Sequence, residues 1–265
     1  MHFHQTEYTR YLTFDIFNGH NILHGVFTRH GGVSPEPWNT LNVGLTVGDD
    51  INRVIENRER VFKTFELDNR RIFDVWQVHS NKVIRVNSIR NKKTGIEKAD
   101  ALITNVNGLG LFMRFADCVP IFLYDPEKKV IGITHAGWKG TVGRIASETV
   151  KKMSHEYGSR TGDIIAVIGP SICTEHYEVG AEVIKSVRDS YGTGANTFLF
   201  ETASKSREKK KFDLKKANEH NLKSAGVKTI EISPICTACT PSDWYSHRGE
   251  KGKTGRFGAL IALNI

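Results

Sequence analysis

A chain of 265 residues with 39% hydrophobic and 25% charged residues has the composition of an ordinary globular protein, long enough to bury about three quarters of its unfolded surface. No uncharged apolar run approaches the about 20 residues of a membrane span, and the start, Met1 to Arg10, lacks the apolar stretch of a secretory signal. A cytoplasmic protein with no membrane partner is expected. Formal net charge is +8, yet neither an aromatic-interleaved RNA motif nor zinc-finger spacing accompanies it, so nucleic acid is disfavoured as a partner.

Taken in chain order, residues 1–20 are expected to be a poorly ordered start. Asp49 and Asp50 cap a helix whose Ile51, Val54, Ile55, Val61, Phe62 and Phe65 share one side. Strand-like runs follow at Arg71–His79, Lys82–Asn87, Ala101–Thr104, Leu109–Ala116, Val119–Tyr124, Val130–His135 and Ile164–Ile168. After Gly137 a helix carries Val142, Ile145, Ala146, Thr149, Val150, Met153 and Tyr157 at three- and four-residue intervals. Helices around Val179–Tyr191 and Leu214–Ala225 flank a polar loop, Gly192–Lys211, and strands Thr229–Ile232 and Gly258–Ile265 close the chain. Strands adjacent to strands, without a regular βαβ alternation, predict an α+β fold with mixed sheets in a single domain, residues 1–265. The basic run Lys205–Lys216 reads as a solvated loop leading into a helix.

Three predicted strands end in reactive side chains: His79 after Trp76-Gln-Val, Asp117-Cys118 between two strands, and His135 before Ala-Gly-Trp-Lys-Gly. Two histidines and a cysteine would give zinc three ligands and leave a fourth position open, as catalytic zinc requires. Spacings of this kind cannot confirm such a site, and packing roles for the same residues stay open. The turn at Gly137 and the helix behind it aim N–H groups at His135, so Gly137 and Lys139 are candidate holders of an anion, as is Arg29, the only fixed charge of the glycine-rich loop Thr28–Ser34, where a solvated turn is favoured. Asp117 is a candidate proton carrier, or a partner that orients a histidine.

Other motifs are weaker. Cys236-Thr-Ala-Cys239 is half of a zinc ribbon without its second half, and buried thiols beside a turn are expected there. It also lacks the H-x-E and P-C-x-x-C pairing of zinc deaminases. Gly252-Lys-Thr is not a P-loop, because His247 stands where the first glycine belongs; the basic loop Arg248–Arg256 could still hold one phosphate through its N–H groups, though a solvated turn is favoured. Multicopper oxidation calls for several H-x-H pairs, and His2-Phe3-His4 is the only one.

Taken together, Trp76–Ser80, Ala99–Thr104, Ala116-Asp-Cys-Val-Pro120, His135-Ala-Gly-Trp-Lys-Gly140, Ile168-Gly-Pro-Ser-Ile172, Tyr177-Glu-Val-Gly180, Cys236-Thr237 and Gly252-Lys-Thr-Gly-Arg256 make the chain resemble the YfiH/YlmD family from about Gly25 to Ile265. These are bacterial relatives of the laccase-domain-containing protein, once labelled polyphenol oxidases and now regarded as purine nucleoside phosphorylases. The resemblance implies a layered α/β/β/α single domain and a zinc site on His79, Cys118 and His135, with copper as the alternative metal. It implies phosphorolysis of adenosine, inosine, guanosine and methylthioadenosine, with adenosine deamination alongside, so purine nucleosides and phosphate are the expected partners. Lys139 departs from the family, whose members often carry arginine there, and a point charge would replace a bidentate contact. Three alternatives stand beside this reading: a hydrolase with Cys118 as nucleophile and His135 or His79 as base, a copper-dependent polyphenol oxidase, and a non-catalytic nucleoside-binding module.

Overall fold

A computed structural model describes residues 1–89, 95–203 and 208–264. Nine strands occupy the first half: β1 (His2–Gln5), β2 (Arg10–Thr13), β3 (Ile22–Phe27), β4 (Ile72–Phe73), β5 (Val83–Arg85), β6 (Ala101–Thr104), β7 (Gly110–Phe115), β8 (Val119–Asp125) and β9 (Val130–Ala136). The second half adds β10 (Ile165–Ile168), β11 (Glu178–Val179), β12 (Leu199–Glu201), β13 (Lys210–Phe212), β14 (Thr229–Ile232) and β15 (Phe257–Leu263). The helices are α1 (Ile51–Lys63), α2 (Trp138–Val142), α3 (Ile145–Tyr157), α4 (Ala181–Tyr191) and α5 (Leu214–Ser224).

Two six-stranded mixed sheets, ordered β1-β2-β3-β15-β7-β4 and β14-β10-β8-β9-β6-β5, stack face to face, and β11-β13-β12 forms a small third sheet. Period-two alternation decides which layer each side chain enters. On β7, Leu111, Met113 and Phe115 join the core between the sheets, while Phe112 points outward to Val61 and Phe62 of α1. On β8, Phe122 and Tyr124 face the inter-sheet core, and Ile121 and Leu123 face α3 and α5. Because β7, β8, β9 and β15 have a packed layer on each side, nearly every residue in them is buried. The result is the α/β/β/α layering expected of a single mixed domain.

Local departures have local causes. Residues 2–13, expected to be poorly ordered, pair as the edge hairpin β1–β2, and Tyr11 and Leu12 continue the pairing into β3. The anticipated strand Arg71–His79 shrinks to β4 and a single bridge from Trp76 to Lys98, because the chain must leave the sheet to bring His79 inward. The helix after Gly137 is broken in two at Gly143–Arg144, where Arg144 takes a left-handed conformation with φ 62°. Arg144 is held there by Asn221 Oδ1 and Ser190 O and by its stacking over Tyr191. Asp50 alone caps α1, accepting from the Asn52 and Arg53 amides, while Asp49 accepts from Ser34 and Asn42 instead. The loop 192–211 contributes β12 and the start of β13. Residues 205–207 of the basic run lie outside the described residues; Lys209, Lys210 and Lys211 pair with Glu178, Glu201 and Glu175.

Candidate metal centre and pocket

Antiparallel register brings the site together. Val119 pairs with Ala136 across β8 and β9, so Cys118, one residue before β8, lies opposite Gly137, one residue after β9. Ala101 pairs with Thr134, which sets Asp100 beside His135 at the same end of the sheet. His79 arrives from the loop before β5, and the ligand atoms of His79, Cys118 and His135 lie within 4.8 Å of one another. The two imidazole rings meet nearly edge to face, 4.9 Å apart at 72°.

Asp100 organises this end and carries no role in the sequence-based reading. Its fully buried carboxylate accepts from the Val78, His79 and Ser80 amides, from Ser80 Oγ, and from His135 Nδ1 at 2.9 Å. Burial works to raise its pKa, but the His135 bond and charge and the Ser80 bonds prevail and lower it. An ionised carboxylate can only accept, so His135 carries its proton on Nδ1 and turns Nε2 toward the other two donors. The same bonds hold His79 in a left-handed conformation, φ 60°, that a non-glycine residue rarely adopts. The signal for Asp100 in the sequence is an acid immediately before a predicted strand at the end where His135 emerges, and it is legible only once the pairing is known.

Gly137 is required by space. A Cβ there would stand 2.8 Å from the His79 ring and 2.9 Å from Cys118 Sγ, so glycine keeps the space between the donors open. Burial acts to raise the Cys118 pKa, yet the charge of His135 and hydrogen bonds from both histidines bring it down to about 6. For His135 burial acts to lower the pKa, and the Cys118 thiolate and the Asp100 bond raise it to about 9. Two imidazoles, a readily ionised thiol, an orienting carboxylate and an open side form a donor set that suits one divalent ion.

That open side faces a cavity of about 490 Å³. Its wall includes Trp76, Trp138 and Tyr177, with Arg114, His247, Arg248 and Arg256 supplying basic groups. Arg256 approaches Cys118 and Asp117, and its burial lowers its pKa against the pull of both charges. Its Nη1 donates to Thr254 O and Gly255 O. Arg114 is engaged by Asp74 and Val75 O.

The other anticipated residues divide. Arg29 does not line this cavity: its guanidinium is spent on Asn39, Pro241 O and Glu250 and stacks on Tyr245. Lys139 is exposed, 5.5 Å above the Trp138 ring and outside the cavity wall. Helix α2 is a single turn of five residues, which leaves little of the dipole invoked for an anion. Asp117 lines the cavity, but its carboxylate accepts from Thr237 Oγ1, Ser246 Oγ and the Arg248 amide rather than from either histidine. Asp117, with φ 81°, thereby ties three chain segments together, and Asp100 takes the orienting role. Sequence reasoning allows the basic loop Arg248–Arg256 one phosphate through its backbone N–H groups but favours a solvated turn, and it gives the side chains of His247, Arg248 and Arg256 on the cavity wall no role.

Cys236 and Cys239 also depart from expectation. The missing half of the ribbon is Cys173 and His176, in the loop after β10, and the four ligand atoms lie within 4.8 Å of one another. This Cys₃His cluster could hold a metal ion.

With this geometry in view, the family model described as multi-copper polyphenol oxidoreductase laccase matches residues 23–264. The chain belongs to that family. It is 38% identical to the purine nucleoside phosphorylase YlmD of Bacillus subtilis, over 93% of this chain and 90% of the relative. A purine nucleoside phosphorylase of Deinococcus radiodurans is also 38% identical, over 91% and 89%. Among solved structures, YfiH of Bacillus licheniformis superimposes with a TM-score of 0.91 at 34% identity, and YlmD of Geobacillus stearothermophilus with 0.90 at 33%, each over 99% of both chains. The donors in this chain bear on the copper label: no third cluster of three or more His, Cys, Asp or Glu ligands occurs among the described residues, and His2 and His4 are exposed on β1.

Proposed function

We propose that this chain is a zinc-dependent purine nucleoside phosphorylase acting on adenosine, inosine, guanosine and S-methyl-5′-thioadenosine, with adenosine deamination as a second activity. The observation that carries the reading is the convergence of His79, Cys118 and His135 on a cavity that also presents aromatic rings and arginines, a volume suited to a nucleoside. The names of the relatives support it.

His79, Cys118 and His135 would hold the metal, which supplies Lewis acidity toward a substrate oxygen. In phosphorolysis a phosphate oxygen bonds to C1′ of the ribose while the C1′–N9 bond breaks. The purine leaves with the bonding pair and gains a proton, and ribose 1-phosphate remains. Arg256 and Arg248 are the groups we assign to phosphate, in place of Arg29 and Lys139, since they stand on the cavity wall. Trp76, about half exposed at the cavity, offers a face on which a purine stacks. Asp117 acts as a positioning residue that sets the Arg248 loop, not as the proton carrier. Copper remains the second candidate ion, because two histidines and one cysteine also suit it.

Chromatography of adenosine after incubation with the zinc-loaded protein, with and without phosphate, tests the reading. Adenine appearing only with phosphate is expected, with inosine in both samples. Unchanged adenosine in both would overturn it. A second reading, thiol hydrolysis, is favoured by one observation, the depressed Cys118 pKa beside a protonated His135. One metal equivalent bound through Cys118 would exclude it, since a ligated thiolate cannot attack.

A further inference from the structure

Outside the pocket wall, Cys173 and His176 follow β10, and Cys236 and Cys239 follow β14, the strand paired in parallel with β10. The sequence therefore holds a C-x₂-H half and a C-x₂-C half about 60 residues apart, brought together by two adjacent strands. His176 Nδ1 lies 3.4 Å from Cys173 Sγ, 3.4 Å from Cys239 Sγ and 3.9 Å from Cys236 Sγ. The Cys173 and Cys239 sulfurs are 3.9 Å apart. A tetrahedral zinc ion, with sulfur at about 2.3 Å and nitrogen at about 2.0 Å, spaces its sulfurs about 3.8 Å apart and sulfur from nitrogen about 3.5 Å apart. These four distances agree to within about 0.4 Å, all six pairs lie within 4.8 Å, and sulfurs at 3.9 Å are far longer than the about 2.05 Å of a disulfide.

Two further contacts suit bound thiolates. The Cys173 amide donates to Cys236 Sγ at 3.2 Å, and the Lys215 ammonium donates to Ser233 O and Ile235 O on the segment that leads into Cys236. Three thiolates on a divalent ion leave one negative charge, and Lys215 is placed to offset it.

We propose that Cys173, His176, Cys236 and Cys239 form a second, structural zinc centre that clamps the two loops behind the pocket. The loops touch the pocket directly. Tyr177 adjoins His176 and lines the cavity, while Thr237 adjoins Cys236 and donates to Asp117. Ser171 N donates to Ile235 O and Thr237 N to Ser171 O, so the polypeptide links are already in place and the ion would lock them. This centre is independent of the nucleoside reading, since four protein ligands leave no open position for chemistry.

Metal analysis of the purified full chain, paired with thermal melting, decides it. Two zinc equivalents are expected for the unaltered chain, and one for His79→Ala/Cys118→Ser. One is also expected for Cys173→Ser/Cys239→Ser or, should that pair fold poorly, for Cys239→Ser alone at limiting zinc. Cobalt loaded into His79→Ala/Cys118→Ser should show the strong thiolate charge-transfer absorption of a tetrahedral site with three thiolates. Cys239→Ser should melt below the unaltered chain in zinc and together with it in chelator. One equivalent in the unaltered chain that vanishes with His79→Ala/Cys118→Ser, a Cys173–Cys239 disulfide in its place, or unchanged melting of Cys239→Ser would each overturn the proposal.

Discussion

The two histidine-cysteine clusters of this chain use the same donor atoms to opposite ends. His79, Cys118 and His135 sit where β8 and β9 end, backed by the buried carboxylate of Asp100, with one side left open to a cavity of about 490 Å³. Cys173, His176, Cys236 and Cys239 follow β10 and β14, bring four donor atoms within 4.8 Å of one another and line no part of that cavity. On the proposed readings, three ligands backed by a buried carboxylate would leave a position for substrate, whereas four ligands on loops would leave none and would lock the loops together. The difference teaches that, if both clusters hold metal as proposed, ligand number and support rather than ligand type would separate a reactive centre from a structural one.

The sharpest way to break the comparison is to remove one thiolate from each cluster. Cys118→Ser should lower phosphorolysis by more than about 100-fold, beyond the usual effect of losing a supporting residue. Cys239→Ser should leave turnover at low temperature within a few fold while lowering the melting temperature. Equal loss of turnover in both, measured by steady-state kinetics, would erase the distinction. Asp100→Asn tests the support: the His135 ring loses its anionic partner, and zinc affinity by competition with a chelator should fall about 10- to 100-fold. The Asp100 carboxylate bonds to His135 and to residues 78–80, not to a ligand of the second cluster, so the affinity of that cluster should not change.

A smaller effect is expected from Gly137→Ala. The added methyl meets the His79 ring and Cys118 Sγ, and overpacking of this kind costs about 1–3 kcal/mol. Calorimetric metal titration should show the loss at the first site alone. The smallest effect is a pH displacement in the metal-free protein. The Cys118 pKa is depressed from an ordinary value near 9 to about 6, so its thiolate persists on acidification until pH falls through about 6. Alkylation mapped by mass spectrometry should reach half its plateau near pH 6 at Cys118, and zinc should abolish it. A midpoint near pH 9 would show that the pairing with His135 does not form.

How much was legible depended on whether a feature is carried by neighbours in the chain. The α1 cap at Asp50, the buried β8 and β9, and the placement of Cys118 and His135 at strand ends follow from periodicity and breaks within a few residues, whereas His79 sits in a loop and not at the end of the strand expected there. Arg29 misled because a conformationally free arginine in a glycine-rich loop looks available, while folding saturates its donors with Asn39, Pro241 and Glu250. Asp117 misled in the same way, since the adjacent Cys118 suggests chemistry and Thr237, Ser246 and Arg248 lie more than 100 residues distant. The edge hairpin β1–β2 was hidden because its strands are short, polar and largely exposed.

By itself the sequence determined the class of fold, through the spacing of apolar residues that selects strand or helix, and it offered His79, Cys118 and His135 as a three-donor candidate that the family resemblance, not their spacing, singled out. Tertiary structure alone decided that Asp100 orients His135, that Arg256 and Arg248 rather than Arg29 face the cavity, and that Cys173 and His176 complete the half-ribbon at Cys236 and Cys239. The physical reason is sheet register. Hydrogen-bonded pairing of β6 with β9, β8 with β9 and β10 with β14 converts large separations along the chain into contacts of a few ångströms, and no local pattern records which strands will pair.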